Sequence, residues 1–167
     1  METSTKSVLA AILAAERTLA FGSFAVMLTA LIVDVLGREL LGQGVFGSVR
    51  VAVYGLIICA LAGFGIATAT GAHLRPKFLD RLLPRKHERV GVRIGQLVSV
   101  AILLTLAKAS WDLASFTREI NERDVTLGWL VWPMQMAMPA AFFLSAVRYM
   151  AYAIFPNLTP DEAEIME

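Results

Sequence analysis

The sequence predicts an all-α integral membrane protein with four transmembrane helices, both termini cytoplasmic, and a short amphipathic cytoplasmic helix between spans two and three. Three observations lead there. First, four long apolar stretches fill most of the 167 residues, hydrophobic residues make up 57% of the chain, and mean hydropathy is +0.64. That leaves only short polar connections, too small for a soluble domain. Second, no barrel-type alternation is present, so the spans are expected to be helices, which satisfy their own backbone hydrogen bonds in lipid. Third, the connection between the second and third stretches carries Arg75, Lys77, Arg81, Arg85, Lys86, Arg89 and Arg93. Such a basic connection belongs on the cytoplasmic side, and an even number of spans then returns the carboxyl terminus to that side.

The spans fall at about 13–36, 45–71, 92–116 and 127–155 within one four-helix domain covering 1–167, with 156–167 as an acidic cytoplasmic tail. Before the first span, Val8, Leu9, Ile12 and Leu13 recur at helical spacing and extend its helix into the interface. Glu16 sits beside Arg17 and no small-x-small cleavage site follows, so this helix is expected to be retained rather than removed as a signal. Asp34 and Arg38, four apart near its outer end, can pair along one face.

In the second span Gly55, Cys59, Gly63, Ala67 and Gly71 fall at every fourth position. Small side chains in a row let another helix backbone approach closely. Packing within the chain is the simpler reading of that stripe, and docking against a partner helix the sharper one. In the basic connection, prolines at 76 and 84 bracket a segment whose Phe78, Leu79, Leu82 and Leu83 share a helical face. A short helix lying on the inner surface would bring Arg75, Lys77, Arg81, Arg85 and Lys86 to anionic lipid headgroups. An ordinary positive-inside loop accounts for the same charges.

The third span contains Lys108 and Asp112, again four apart. With Asp34 and Arg38 they form a candidate intramembrane charge network, for which structural pairing is a better explanation than an ion or proton path. The outer connection that follows holds Arg118, Glu119, Glu122, Arg123 and Asp124. Such mixed charge suits either transient docking of a partner or plain solvation. Trp129 and Trp132 fit an interfacial belt at the start of the fourth span, Pro139 is placed to kink it, and Met134, Gln135, Met136 and Met138 supply an adaptable packing surface. In the tail, Thr159-Pro160-Asp161-Glu162 reads as a capping box.

Several chemistries have no residues to carry them. Cys59 stands alone, so there is no intrachain disulfide and no thiol metal site. His73 and His87 lie in the basic connection, away from carboxylate clusters, and no nucleophile has a base beside it in sequence. No glycine-rich phosphate loop and no inverted repeat of the transporter type occurs. The residues therefore predict a non-enzymatic accessory or structural membrane subunit with no cofactor of its own and no nucleic-acid partner. The alternative is a self-assembling channel or small transporter that uses Asp34, Arg38, Lys108 and Asp112 as its path.

A family resemblance sharpens this. Glu16-Arg17-Thr18-Leu19 enters the first span and Arg38 closes it. Gly71-Ala72-His73-Leu74-Arg75 follows the second span and precedes Phe78-Leu79-Asp80-Arg81-Leu82-Leu83-Pro84, and Pro133 and Pro139 mark the last span. In order and spacing, across about residues 10 to 155, these features resemble the small membrane subunit of tripartite ATP-independent periplasmic (TRAP) transporters, the DctQ type. Gly44 to Arg50 departs from the tryptophan and acidic residues common in that family at the entry to the second span. The resemblance implies a bacterial inner-membrane protein that braces a large elevator-type subunit and helps dock a periplasmic solute-binding protein during sodium-driven uptake of an organic acid. Any sodium site is then expected in the large partner, not in this chain.

Overall fold

The computed structural model describes residues 2–70 and 88–155. The proposed surface helix at 76–84, Gly71, the headgroup residues Arg75, Lys77, Arg81, Arg85 and Lys86, and the acidic tail lie outside the described residues. The described residues form five helices in order: α1 (Glu2–Leu41), α2 (Ser48–Ala69), α3 (Glu88–Glu119), α4 (Trp132–Gln135) and α5 (Ala137–Ile154). Among the described residues the chain is helical apart from its turns, with one isolated bridge between Arg123 and Leu130. Among the described residues four segments are long and apolar enough to cross a membrane: Thr5–Leu41, Ser48–Ala69, Arg93–Glu119 and Trp132–Ile154.

The first helix is longer than a span requires. At 1.5 Å per residue its 40 residues reach about 60 Å, against a hydrocarbon core of about 30 Å. It ends at Gly42, whose φ of 72° is open to glycine and whose N–H reaches the Arg38 carbonyl at 3.1 Å, closing the helix with a left-handed cap. The far end of α3 closes in a related way. Asn121 takes φ 51°, its N–H meets the Arg118 carbonyl, and the Glu122 N–H meets the Thr117 carbonyl. That pair of bonds is a Schellman motif, with asparagine where glycine is commonest.

The helices line up in a row. α1 packs along α2, α2 on α5, and α5 on α3, whereas α1 and α3 have no comparable contact. α1 and α2 are antiparallel in one continuous register, with Glu16 against Gly65, Met27 against Gly55 and Asp34 against Ser48. The sides that meet carry small or polar residues. Glu16, Ser23, Asp34 and Gly37 are buried on α1, and Ser48, Ala52, Gly55, Ala62, Gly65 and Thr68 on α2. On α3 the buried residues Gln96, Val100, Leu103, Ala107, Ala114 and Thr117 are spaced by fours, threes and one full seven, the spacing of a coiled-coil seam. Between α2 and α5, Phe64 and Phe142 meet edge to face with centroids 5.6 Å apart.

The fourth span begins with an interruption. Pro139 has no N–H for the Gln135 carbonyl four residues back, and its ring crowds that turn. The helix breaks at Met136, between α4 and α5. Residues 127–131, which the sequence reading places inside this span, are not helical and belong to the bridged loop, and helix starts at Trp132.

Candidate functional site

Two polar clusters stand at opposite ends of the α1–α2 pair, 18 residues or about 27 Å apart along α1. That separation nearly matches the thickness of the hydrocarbon core.

At one end Arg148 of α5 is 1% exposed and Glu16 of α1 is 7% exposed. Arg148 Nη2 donates to Glu16 Oε2 at 2.8 Å. Its Nη1 donates to the Gly65 carbonyl and to Thr68 Oγ1, both on α2. One guanidinium therefore ties three helices together. The contact requires glycine at 65, because a Cβ there would run into the Glu16 carboxylate. A buried charge is tolerable when it is paired and hydrogen-bonded, and here the guanidinium has its carboxylate partner and two further acceptors on α2.

At the other end the polar groups are distributed differently. Asp34 Oδ1 accepts from the Ser48 hydroxyl at 2.8 Å, and its Oδ2 accepts from Arg38 Nε at 2.9 Å. Ser48 opens α2, so the carboxylate also sits near the positive end of that helix. Asp124 is the second anchor. Its Oδ1 accepts from the N–H groups of Thr126 and Leu127, each at 2.9 Å, and its Oδ2 accepts from the Tyr54 hydroxyl at 2.9 Å and pairs with Arg50 Nε at 2.8 Å. The Leu127 N–H leads the effects that hold the Asp124 carboxyl below the usual carboxylate range; the Tyr54 hydroxyl, the Thr126 N–H and Arg50 add to it, while burial opposes. Backbone bonds from Asp124 N–H to the Trp129 carbonyl and from Val131 N–H to the Glu122 carbonyl complete a small hairpin. An open cleft of about 380 Å³, lined by Asp34, Arg38, Val45, Arg50 and Thr126 among others, lies between the two anchors.

The structure distributes the sequence-predicted residues as follows. Gly55 is buried against Ser23 and Met27 of α1, whereas a Cβ at Gly63 would meet nothing within 4 Å; Cys59, Gly63 and Ala67 are half-buried. The every-fourth stripe diverges because each step of four turns 40° past a full circle, so the row winds off any one face. Asp34 and Arg38 pair on α1, and Lys108 and Asp112 pair on α3 at 3.3 Å, as two separate couples. In the connection after α3 Asp124 is buried and anchored, Arg123 donates to the Gly128 carbonyl at 3.0 Å, and Arg118 stacks over Trp132 at 5.3 Å. Glu119 and Glu122 are exposed. No group of three or more potential metal ligands occurs among the described residues.

Sequence reasoning passed over Arg148, Thr68 and Gly65. Arg148 was the available signal: a basic residue within the fourth apolar stretch needs an acidic partner, and Glu16 is the acidic residue at matching depth on the first helix. Tyr54 carried no such signal, because its bond to Asp124 joins positions 70 residues apart.

A family model described as "Tripartite ATP-independent periplasmic transporters, DctQ component" matches residues 27–157. The match takes in Arg148 and the hairpin that Asp124 anchors, and begins after Glu16. No curated protein matches the chain. With most of its length covered, the chain belongs to the DctQ family: it is a small permease subunit of a TRAP transporter, a transporter component and not an enzyme.

Proposed function

From that membership we propose that this subunit braces the large elevator-type membrane subunit of its transporter and helps dock the periplasmic solute-binding protein during sodium-driven uptake of an organic acid. In this reading it resides in the bacterial inner membrane with both termini in the cytoplasm. It holds no cofactor; sodium acts in the large subunit. The observation that carries the reading is the row α1–α2–α5–α3. A single row of helices has no interior through which a solute could pass. Its α1–α2 seam holds small and polar residues, while large apolar side chains of α1 such as Phe21, at 77% exposure, point outward. That is a wall, suited to holding a neighbour in place. The hairpin at Glu122–Val131, fixed by Asp124, gives the outer end an ordered surface for encounters with a soluble partner.

Reconstitution tests this. Liposomes holding this chain with the large subunit, supplied with the binding protein, should take up the organic acid when a sodium gradient is imposed. Omitting this chain should abolish uptake, and liposomes with this chain alone should take up none. Uptake by this chain alone, or undiminished uptake without it, would overturn the proposal.

A further inference from the structure

The two outer helices of the row differ in what they turn away from the rest of the chain. α1 exposes Phe21, Phe24, Leu28, Leu31 and Ile32, a surface matched to lipid chains. α3 buries one seam against α5 and on the opposite side exposes Ala101, Thr105, Lys108, Ala109 and Asp112. The Lys108 and Asp112 side chains are 80% and 63% exposed, although they lie inside the membrane-spanning segment Arg93–Glu119.

Their depth makes this exposure informative. Arg118 stacks on Trp132, an aromatic suited to the interfacial level. Lys108 lies ten residues further along the helix, about 15 Å in, and Asp112 about 9 Å in. In a hydrocarbon core about 30 Å thick, Lys108 then sits near the middle. The Lys108 ammonium reaches one turn toward the nearer surface to meet Asp112 at 3.3 Å, and Asp112 itself is still about 9 Å in, so the pair as a whole stays within the hydrocarbon depth. An ion pair facing acyl chains at that depth is strongly disfavoured, and intramembrane charges face protein or water instead.

We propose that the Lys108–Asp112 face of α3 is where this subunit meets a membrane helix of its large partner, and that the partner presents polar side chains at the same depth to complete the pair's hydrogen bonds. Ala101, Thr105 and Ala109 let that helix approach closely. A second copy of this chain is a poorer fit, since a two-fold axis along the membrane normal sets each Lys108 against its twin at equal depth. The proposal rests on the subunit reading given above and adds the face and the chemistry of contact.

Site-directed photo-crosslinking in native membranes, with the whole transporter expressed, tests it. A benzophenone amino acid is placed at Ala109 in one variant and at Leu28 in another. Both positions are exposed, so neither label disturbs a seam within this chain. The Ala109 variant should yield an adduct identified by mass spectrometry as the large TRAP membrane subunit, and the Leu28 variant should not. The double variant Lys108→Leu with Asp112→Leu should keep its fold but recover at least tenfold less of that subunit after detergent extraction. An adduct only from Leu28, a homodimer adduct from Ala109, or no adduct from Ala109 while the large subunit co-purifies would overturn the proposed face and leave the subunit reading standing. Failure of the unmodified chain to co-purify with any large subunit would overturn both.

Discussion

The two ends of the α1–α2 pair use the same residue types to different effect. At the Glu16–Arg148 end both charges are sealed among three helices. At the Asp34–Asp124 end the carboxylates are buried, but their arginines reach outward, with Arg38 and Arg50 side chains 63% and 43% exposed. A sealed pair must be kept or removed as a unit, because a lone survivor is a charge without solvent. A half-exposed pair tolerates loss of its arginine, because water replaces it. The first end therefore governs whether the row assembles, and the second shapes a surface.

The largest break in this contrast should come from Arg148→Leu or Glu16→Leu alone, each expected to cost about 3–5 kcal/mol by stranding the other charge. Unfolding of the purified subunit in mixed detergent micelles reads this directly. Next, Gly65→Ala should cost about 1–3 kcal/mol by pushing a methyl group into the Glu16 carboxylate. Gly63→Ala, on the same helix but facing open space, should be neutral or stabilising by about 0.5–1 kcal/mol. Equal losses at the two glycines would mean that α2 is seated differently.

At the Asp34–Asp124 end the expected effects are smaller and local. Because the Asp124 carboxyl is held below its ordinary range, its contribution is fully present above an ordinary aspartate pKa of about 3.9 and is lost as pH falls through the lower folded value. The hairpin should accordingly resist protease at Arg123 unchanged from pH 7 to 5. Asp124→Ala should open it at all those pH values while overall unfolding shifts little. Loosening already at pH 6 would assign the hairpin's order to some other group. The smallest effect is expected for Arg38→Gln, whose melting temperature should match the parent's.

Much of this was legible in the residues. Length and hydropathy fixed four helices, since a stretch of some 20 apolar residues has few other solutions. The i, i+4 pairs Asp34–Arg38 and Lys108–Asp112 were readable because helix geometry alone sets them. The seams were partly hidden. Small residues in α2 suggest both an every-fourth row and a row of alternating fours and threes, and only the second stays on one side of a helix packed along its length. Ser48, Ala52, Gly55 and Ala62 follow it, and Gly63 does not. The Glu16–Arg148 bond spans 132 positions, and its third partner is a backbone carbonyl that no side-chain pattern announces. The interruption at Met136 was foreshadowed by Pro139, but the start of helix at Trp132 depends on the hairpin that Asp124 anchors.

The most direct test of the sealed end is a double-mutant cycle on Glu16→Leu and Arg148→Leu, read as unfolding free energy in micelles. A lock predicts that the double variant recovers most of what each single variant loses, with a coupling of more than about 1 kcal/mol. Losses that simply add would contradict it and show that the two side chains act independently.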